Sequence, residues 1–203
     1  MIWWAKRHRV GVILLVTVAY GAVLAAIGNQ YVPLPRITDA VTDLLPIRLV
    51  APLVLAVVLL WARGDFAIEV GAVRPVLRYW HLLLVLVAAL SAVICLVAQQ
   101  WDLFGDAWAS ERNLLGFLGL GLLLSRFFSA EISAAVLTAI VFAGMMLPRA
   151  PDGTLLPGAW PILDSGNGPS WLIAVGLMGA GACSAMIPLG HRRLHRAGNN
   201  ASC

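Results

Sequence analysis

The run VGVILLVTVAYGAVLAAI, Val10 to Ile27, carries no charged side chain and follows Lys6, Arg7 and Arg9. Eighteen such residues in a helix extend about 27 Å, close to the roughly 30 Å hydrocarbon core of a bilayer. The basic start and Ala25-Ala26 imitate a secretory leader. Five further apolar runs follow, however, so the expectation is a retained first span.

Working outward, those runs are Leu44–Ala62, Leu82–Ala98, Asn113–Ser125, Ile132–Leu147 and Trp171–Leu189. The fold class this predicts is an all-α, polytopic membrane helix bundle with six transmembrane helices, forming a single transmembrane domain over residues 1–203. Arg48 near the start of the second run is expected to snorkel, and Pro52 to kink it. The fourth and fifth runs are short. Taken as one helix, Asn113 to Leu147 would extend about 52 Å and overshoot the bilayer. The polar break from Ser125-Arg126 to Glu131 therefore predicts a hairpin of two short helices, crossing or re-entrant.

Composition agrees. The 203 residues are 61% hydrophobic and 12% charged, about half the charge a soluble domain carries. That argues against nucleic-acid modules, secreted disulfide scaffolds and ordinary soluble enzymes. Cys95 and Cys183 fall inside apolar runs and Cys203 is the last residue, so they read as small hydrophobes or a free end.

Basic residues set orientation. With a cytoplasmic N-terminus the inner side holds Lys6, Arg7, Arg9, Arg63, Arg74, Arg78, Arg126, Arg192, Arg193 and Arg196, and the outer side only Arg36, Arg48, Arg112 and Arg149. Both termini are then cytoplasmic, in a cell (plasma) membrane. Trp61, Trp80, Trp101, Trp108, Trp160 and Trp171 fall near span ends, where an aromatic belt belongs.

The spans read as poor in chemistry. Their middles contain Thr17, Tyr20, Ser91, Thr138 and Ser184, but no Asp, Glu, His or Lys of the kind ion-coupled carriers use. No His-Glu-x-x-His or Gly-x-Ser-x-Gly sequence occurs, so no enzyme, cofactor or metal is expected. His191 and His195 lie among Arg192, Arg193 and Arg196 and read as a cationic anchor. Two Gly-x-x-Gly-x-Gly patterns, Gly116, Gly119, Gly121 and Gly176, Gly179, Gly181, predict close helix contacts, either between the two runs or across a dimer.

Between the second and third spans, Phe66, Val70 and Val73 recur at helical spacing with Asp65, Glu69 and Arg74, until Pro75. This reads as a short amphipathic helix on the cytoplasmic face, either an interfacial anchor or a docking surface. The outer stretch Pro148 to Ser170 holds five prolines and four glycines and reads as an ordered lid or a turn-rich linker.

Six spans, that amphipathic segment and a fourth span reading Arg-Asn-Leu-Leu-Gly-Phe-Leu-Gly-Leu-Gly resemble the membrane (permease) subunit of type-2 ABC exporters, in particular small actinobacterial permease-like proteins. The Pro-rich outer stretch stands where that family has two short helices. The resemblance implies a dimer and a separate ATPase, since the chain has no Walker A sequence and a single lysine, Lys6. It puts the ATPase contact at Asp65, Phe66, Glu69, Val70 and Arg74. A non-transporting membrane scaffold or assembly factor is the alternative.

Overall fold

A computed structural model describes residues 10–35, 42–64, 75–146 and 157–186. These residues form six α-helices: α1 Val10–Ile27, α2 Ile47–Gly64, α3 Pro75–Gln100, α4 Ala107–Leu124, α5 Ala130–Met145 and α6 Gly168–Met186. A short 3-10 helix, Pro157–Ile162, precedes α6, and two strands, β1 Tyr31–Pro35 and β2 Thr42–Pro46, pair antiparallel between α1 and α2. The amphipathic stretch with Asp65, Phe66, Glu69, Val70 and Arg74, the histidines His191 and His195, and both termini lie outside the described residues.

Among the described residues, three helical segments are long and apolar enough to cross a membrane: Val10–Ile27, Tyr79–Gln100 and Gly168–Ala185. Their outward faces carry Leu15, Val18, Val85, Val93, Leu96, Leu172 and Val175, all exposed. In water such a surface would aggregate; against lipid it is the expected solvent-facing side. Apolar stretches of α2 and α5 are shorter, Ile47–Ala62 and Ala130–Gly144. The break at Ser125-Arg126 is a turn, and α5 begins after Ser129, whose hydroxyl accepts from the Ile132 amide at 3.4 Å as an N-cap.

The architecture is mostly helical, and a hairpin corrects the start expected for the second span. Leu44 to Pro46, read as the start of the second span, belong to β2, with Tyr31 opposite Pro46 and Pro35 opposite Thr42. Proline gives no ladder donor, but in a two-stranded ribbon both strands are edges, so Pro33, Pro35 and Pro46 are tolerated. The Ile47 amide then donates to the Gln30 carbonyl at 2.9 Å, stitching the start of α2 to the end of α1.

The centre of the bundle is α4, which packs against α2, α3, α5 and α6. Leu114, Phe117, Leu118 and Leu122 are fully buried against Leu55, Leu59 and Leu60 of α2, Leu83, Leu84 and Val87 of α3, and Leu137 of α5. Six helices alternate in direction: Asn29, Arg48, Gly105 and Asp106 meet at one end, and Arg126 reaches the Ser184 carbonyl at the other, 3.3 Å away. Trp80 and Trp160 are buried, only 3% and 8% exposed, so they are core side chains and not belt anchors; Trp61 and Trp101 are the exposed ones.

The glycines divide by neighbour. A Cβ on Gly119 would collide with the Leu177 carbonyl and the Met178 amide, and one on Gly181 with the Gly119 carbonyl, so α4 and α6 meet backbone to backbone. Gly116 receives the Trp160 ring and Gly121 the Leu60 side chain. Gly176 and Gly179 face open space on the outside of α6.

Candidate functional site: a buried polar junction

Four consecutive polar residues, Ser110, Glu111, Arg112 and Asn113, occupy the second turn of α4 and all are buried. Arg112 is 0% exposed and Glu111 4%. Polar groups at that depth need partners, because an unpaired buried donor or acceptor costs about 1–3 kcal/mol. Their partners lie on α2, α3 and the segment before α6.

Pro52 explains the first. As the sixth residue of α2 it has no N–H to give the Arg48 carbonyl four residues back. The Ser110 hydroxyl donates to that carbonyl at 2.8 Å, and the Asn113 amide donates to the next, Leu49, at 3.1 Å. A defect in one helix is thus filled by side chains of another.

Arg112 ties down the segment before α6. Its guanidinium donates to the carbonyls of Leu163 at 2.7 Å, Asp164 at 2.9 Å and Pro161 at 3.3 Å, and to the Ser170 hydroxyl at 2.8 Å. Its Nε and one terminal nitrogen also reach Asn113 Oδ1, at 3.2 and 3.0 Å. Ser170 in turn donates to the Asn167 carbonyl at 2.7 Å, and Asn167 Oδ1 caps α6 by accepting from the Ser170 amide at 3.0 Å. The planar five-donor fork suits this convergence of carbonyls, which a single ammonium could not match.

The segment so held drives Trp160 against Gly116 and Phe117, with the Phe117 and Trp160 ring centroids 5.4 Å apart and tilted by 54°. Within the stretch read as a lid or a linker, Ala159 and Trp160 pack into the bundle, and residues 148–156 lie outside the described residues. Asp106, just before α4, adopts φ 44°, a left-handed conformation that Asp tolerates better than most residues. Its carboxylate does not cap its own helix but accepts from the Ser165 amide at 2.8 Å. Asn29 Oδ1 accepts from the Gly105 amide at 3.0 Å and from Arg48 at 3.2 Å, joining the first and second connections on this end. Asn29→Ala removes two exposed hydrogen bonds, and a thermal melt of the purified protein is expected to show a loss of about 1 kcal/mol.

The remaining member, Glu111, faces α3, where the Ser91 hydroxyl lies 2.5 Å from its Oε2. The fourth apolar run begins at Asn113 and leaves Arg112 on the outer side; the helix begins earlier, at Ala107, and encloses both Glu111 and Arg112. Their signal was present as Ser-Glu-Arg-Asn at the mouth of a Gly-rich run, but such letters look the same in a solvated loop.

The geometry organises protein around protein: the four side chains spend their hydrogen bonds on backbone carbonyls, on the Ser91 and Ser170 hydroxyls and, for Arg112 and Asn113, on each other. Among the described residues no group of three or more His, Cys, Asp or Glu side chains is placed to hold a metal. No family model, curated protein or solved structure matches this chain.

Proposed function

We propose that the chain is the permease-like membrane subunit of an ABC exporter, resident in the cell membrane as a six-span dimer and driven by a separate ATPase. What supports the reading is where the amphipathic stretch falls relative to the hydrogen-bonded connections of the bundle. At one end hydrogen bonds join the connections after α1 and α3 and the segment before α6. The opposite end presents Gly64 and Pro75, the helix ends that flank Asp65, Phe66, Glu69, Val70 and Arg74. A motor pushing there would act on α2 and α3 at the side away from the tied end, and tilt them about it. The tight α4–α6 contact would move as one piece.

The test is purification of a tagged chain from its native membrane. A Walker A-bearing subunit is expected to accompany it, and a Phe66→Asp, Val70→Asp double variant should reduce its recovery at least about tenfold, as loss of two apolar anchors does at a docking patch. Recovery of the chain with no nucleotide-binding subunit rejects the proposal. It would favour the alternative of a non-transporting scaffold or assembly factor, a reading that the stapled polar junction supports through its rigidity.

A further inference from the structure

Glu111 sits at the contact of α4 with α3, and its hydrogen bonding does not close if it is ionised. A carboxylate has two oxygens with about four acceptor sites. Here the side chain is 4% exposed and, among the described residues, the Ser91 hydroxyl is the one donor bonded to it. Arg112, next in sequence, turns the other way and commits its guanidinium to Asn113, Ser170 and the carbonyls before α6. Arg48 of α2 directs its guanidinium to Asn29. The titratable neighbours are Tyr20 from α1 and Cys95 from α3, neither a cation. Among the described residues no positive charge bonds to Glu111.

The proton count on Ser91 points the same way. Its hydroxyl oxygen lies 3.1 Å from the Ala88 carbonyl, the ordinary back-bond of a serine within a helix, and 2.5 Å from Glu111 Oε2. Serine has one hydroxyl proton for these two contacts. If it goes to Ala88, the short contact to Glu111 needs a proton from the carboxyl itself. With Glu111 protonated, the chain Glu111 O–H to Ser91 Oγ, then Ser91 O–H to Ala88 carbonyl, gives each of the two contacts its own proton.

We propose that Glu111 and Ser91 form a proton-binding site between α3 and α4, occupied in this packed state of the bundle. Releasing the proton leaves a buried carboxylate with one donor, a costly arrangement unless α3 and α4 part to admit water. The site is therefore a latch, closed when protonated and loosened when the proton leaves to water. It does not depend on the exporter reading, because it rests only on the packing of α3 on α4.

The experiment uses the full chain in lipid nanodiscs. Glu69, Glu111 and Glu131 are the three glutamates, so a Glu69→Gln, Glu131→Gln variant with 13C-labelled glutamate isolates the Glu111 carboxyl without altering it. At neutral pH the infrared spectrum is expected to show the carbonyl band of a protonated carboxyl, lost as the pH is raised. In Ser91→Ala the band should move to the position of a free carboxyl. Thermal stability of this chain should decline with rising pH, because the unfolded state gives up the proton first, and Glu111→Gln should remove that decline. A labelled signal that is wholly carboxylate at neutral pH overturns the proposal, whatever the variants do.

Discussion

Arg112→Met is expected to lower the stability of the folded chain by about 3–5 kcal/mol, because several buried acceptors lose a charged donor whose hydrogen bonds are worth about 1.5–3 kcal/mol each. Methionine fills much of the space but donates nothing. The Leu163, Asp164 and Pro161 carbonyls then lose the donor that holds them, each at a cost of about 1–3 kcal/mol if no water replaces it. Loss should be local before it is global, because the Arg112 contacts hold the segment that seats Trp160. A cysteine placed at Ala159, which is fully buried, should be inert to a water-soluble thiol reagent in the parent and reactive in the Arg112→Met background. Arg112→Lys should fall between the two, since one ammonium cannot reach every acceptor. A melting temperature within a degree or two of the parent would show that the junction is not what holds this end together.

Gly119→Leu is the second large effect. The new Cβ meets backbone atoms of Leu177 and Met178, not a flexible side-chain tip, so no rotamer relieves it and α6 must move off α4. The cost is expected at or above the upper end of the roughly 1–3 kcal/mol typical of overpacking, read as loss of monodisperse protein in detergent and a lowered melting temperature. Gly176→Leu and Gly179→Leu, made on the open face of the same helix, should stay within about 0.5 kcal/mol of the parent. Equal damage from all three would contradict the assignment of Gly119 to the α4–α6 contact. Loss of a dimer in the Gly176 variant alone would assign the outer face to a second copy.

The two results concern residues whose standing in the sequence was very different. Gly119 and Gly181 belong to patterns that predict close backbone approach wherever helices meet in lipid, and they do meet. Gly176 and Gly179 carry the same letters at the same spacing and touch nothing within the chain. A small-residue pattern says that an approach is permitted, and which neighbour uses it is settled only when the other helices have been placed.

Arg112 was harder to read. Ser110 to Asn113 looked like the polar edge of a short span because nothing near them in sequence could satisfy them. Their acceptors are the Arg48 and Leu49 carbonyls, more than 60 residues back, and the Leu163 and Asp164 carbonyls, more than 50 ahead. Pro52 was legible as a helix defect, but the side chain that fills it was not. The Tyr31–Pro46 hairpin was hidden for the opposite reason: its prolines argue against a strand, and only the absence of a second neighbour on each edge makes them harmless.

Sequence alone marked the segments that are suited to a membrane. Long uncharged runs in Val10–Ile27, Tyr79–Gln100 and Gly168–Ala185 can lower their free energy only by leaving water, and no tertiary contact is needed to see it. Tertiary structure decided which helix would lie inside the bundle. It placed α4, the helix least suited to lipid because it bears Glu111 and Arg112, in the centre, where backbone carbonyls freed by a proline and by a non-helical segment supply the hydrogen bonds that hydrocarbon cannot.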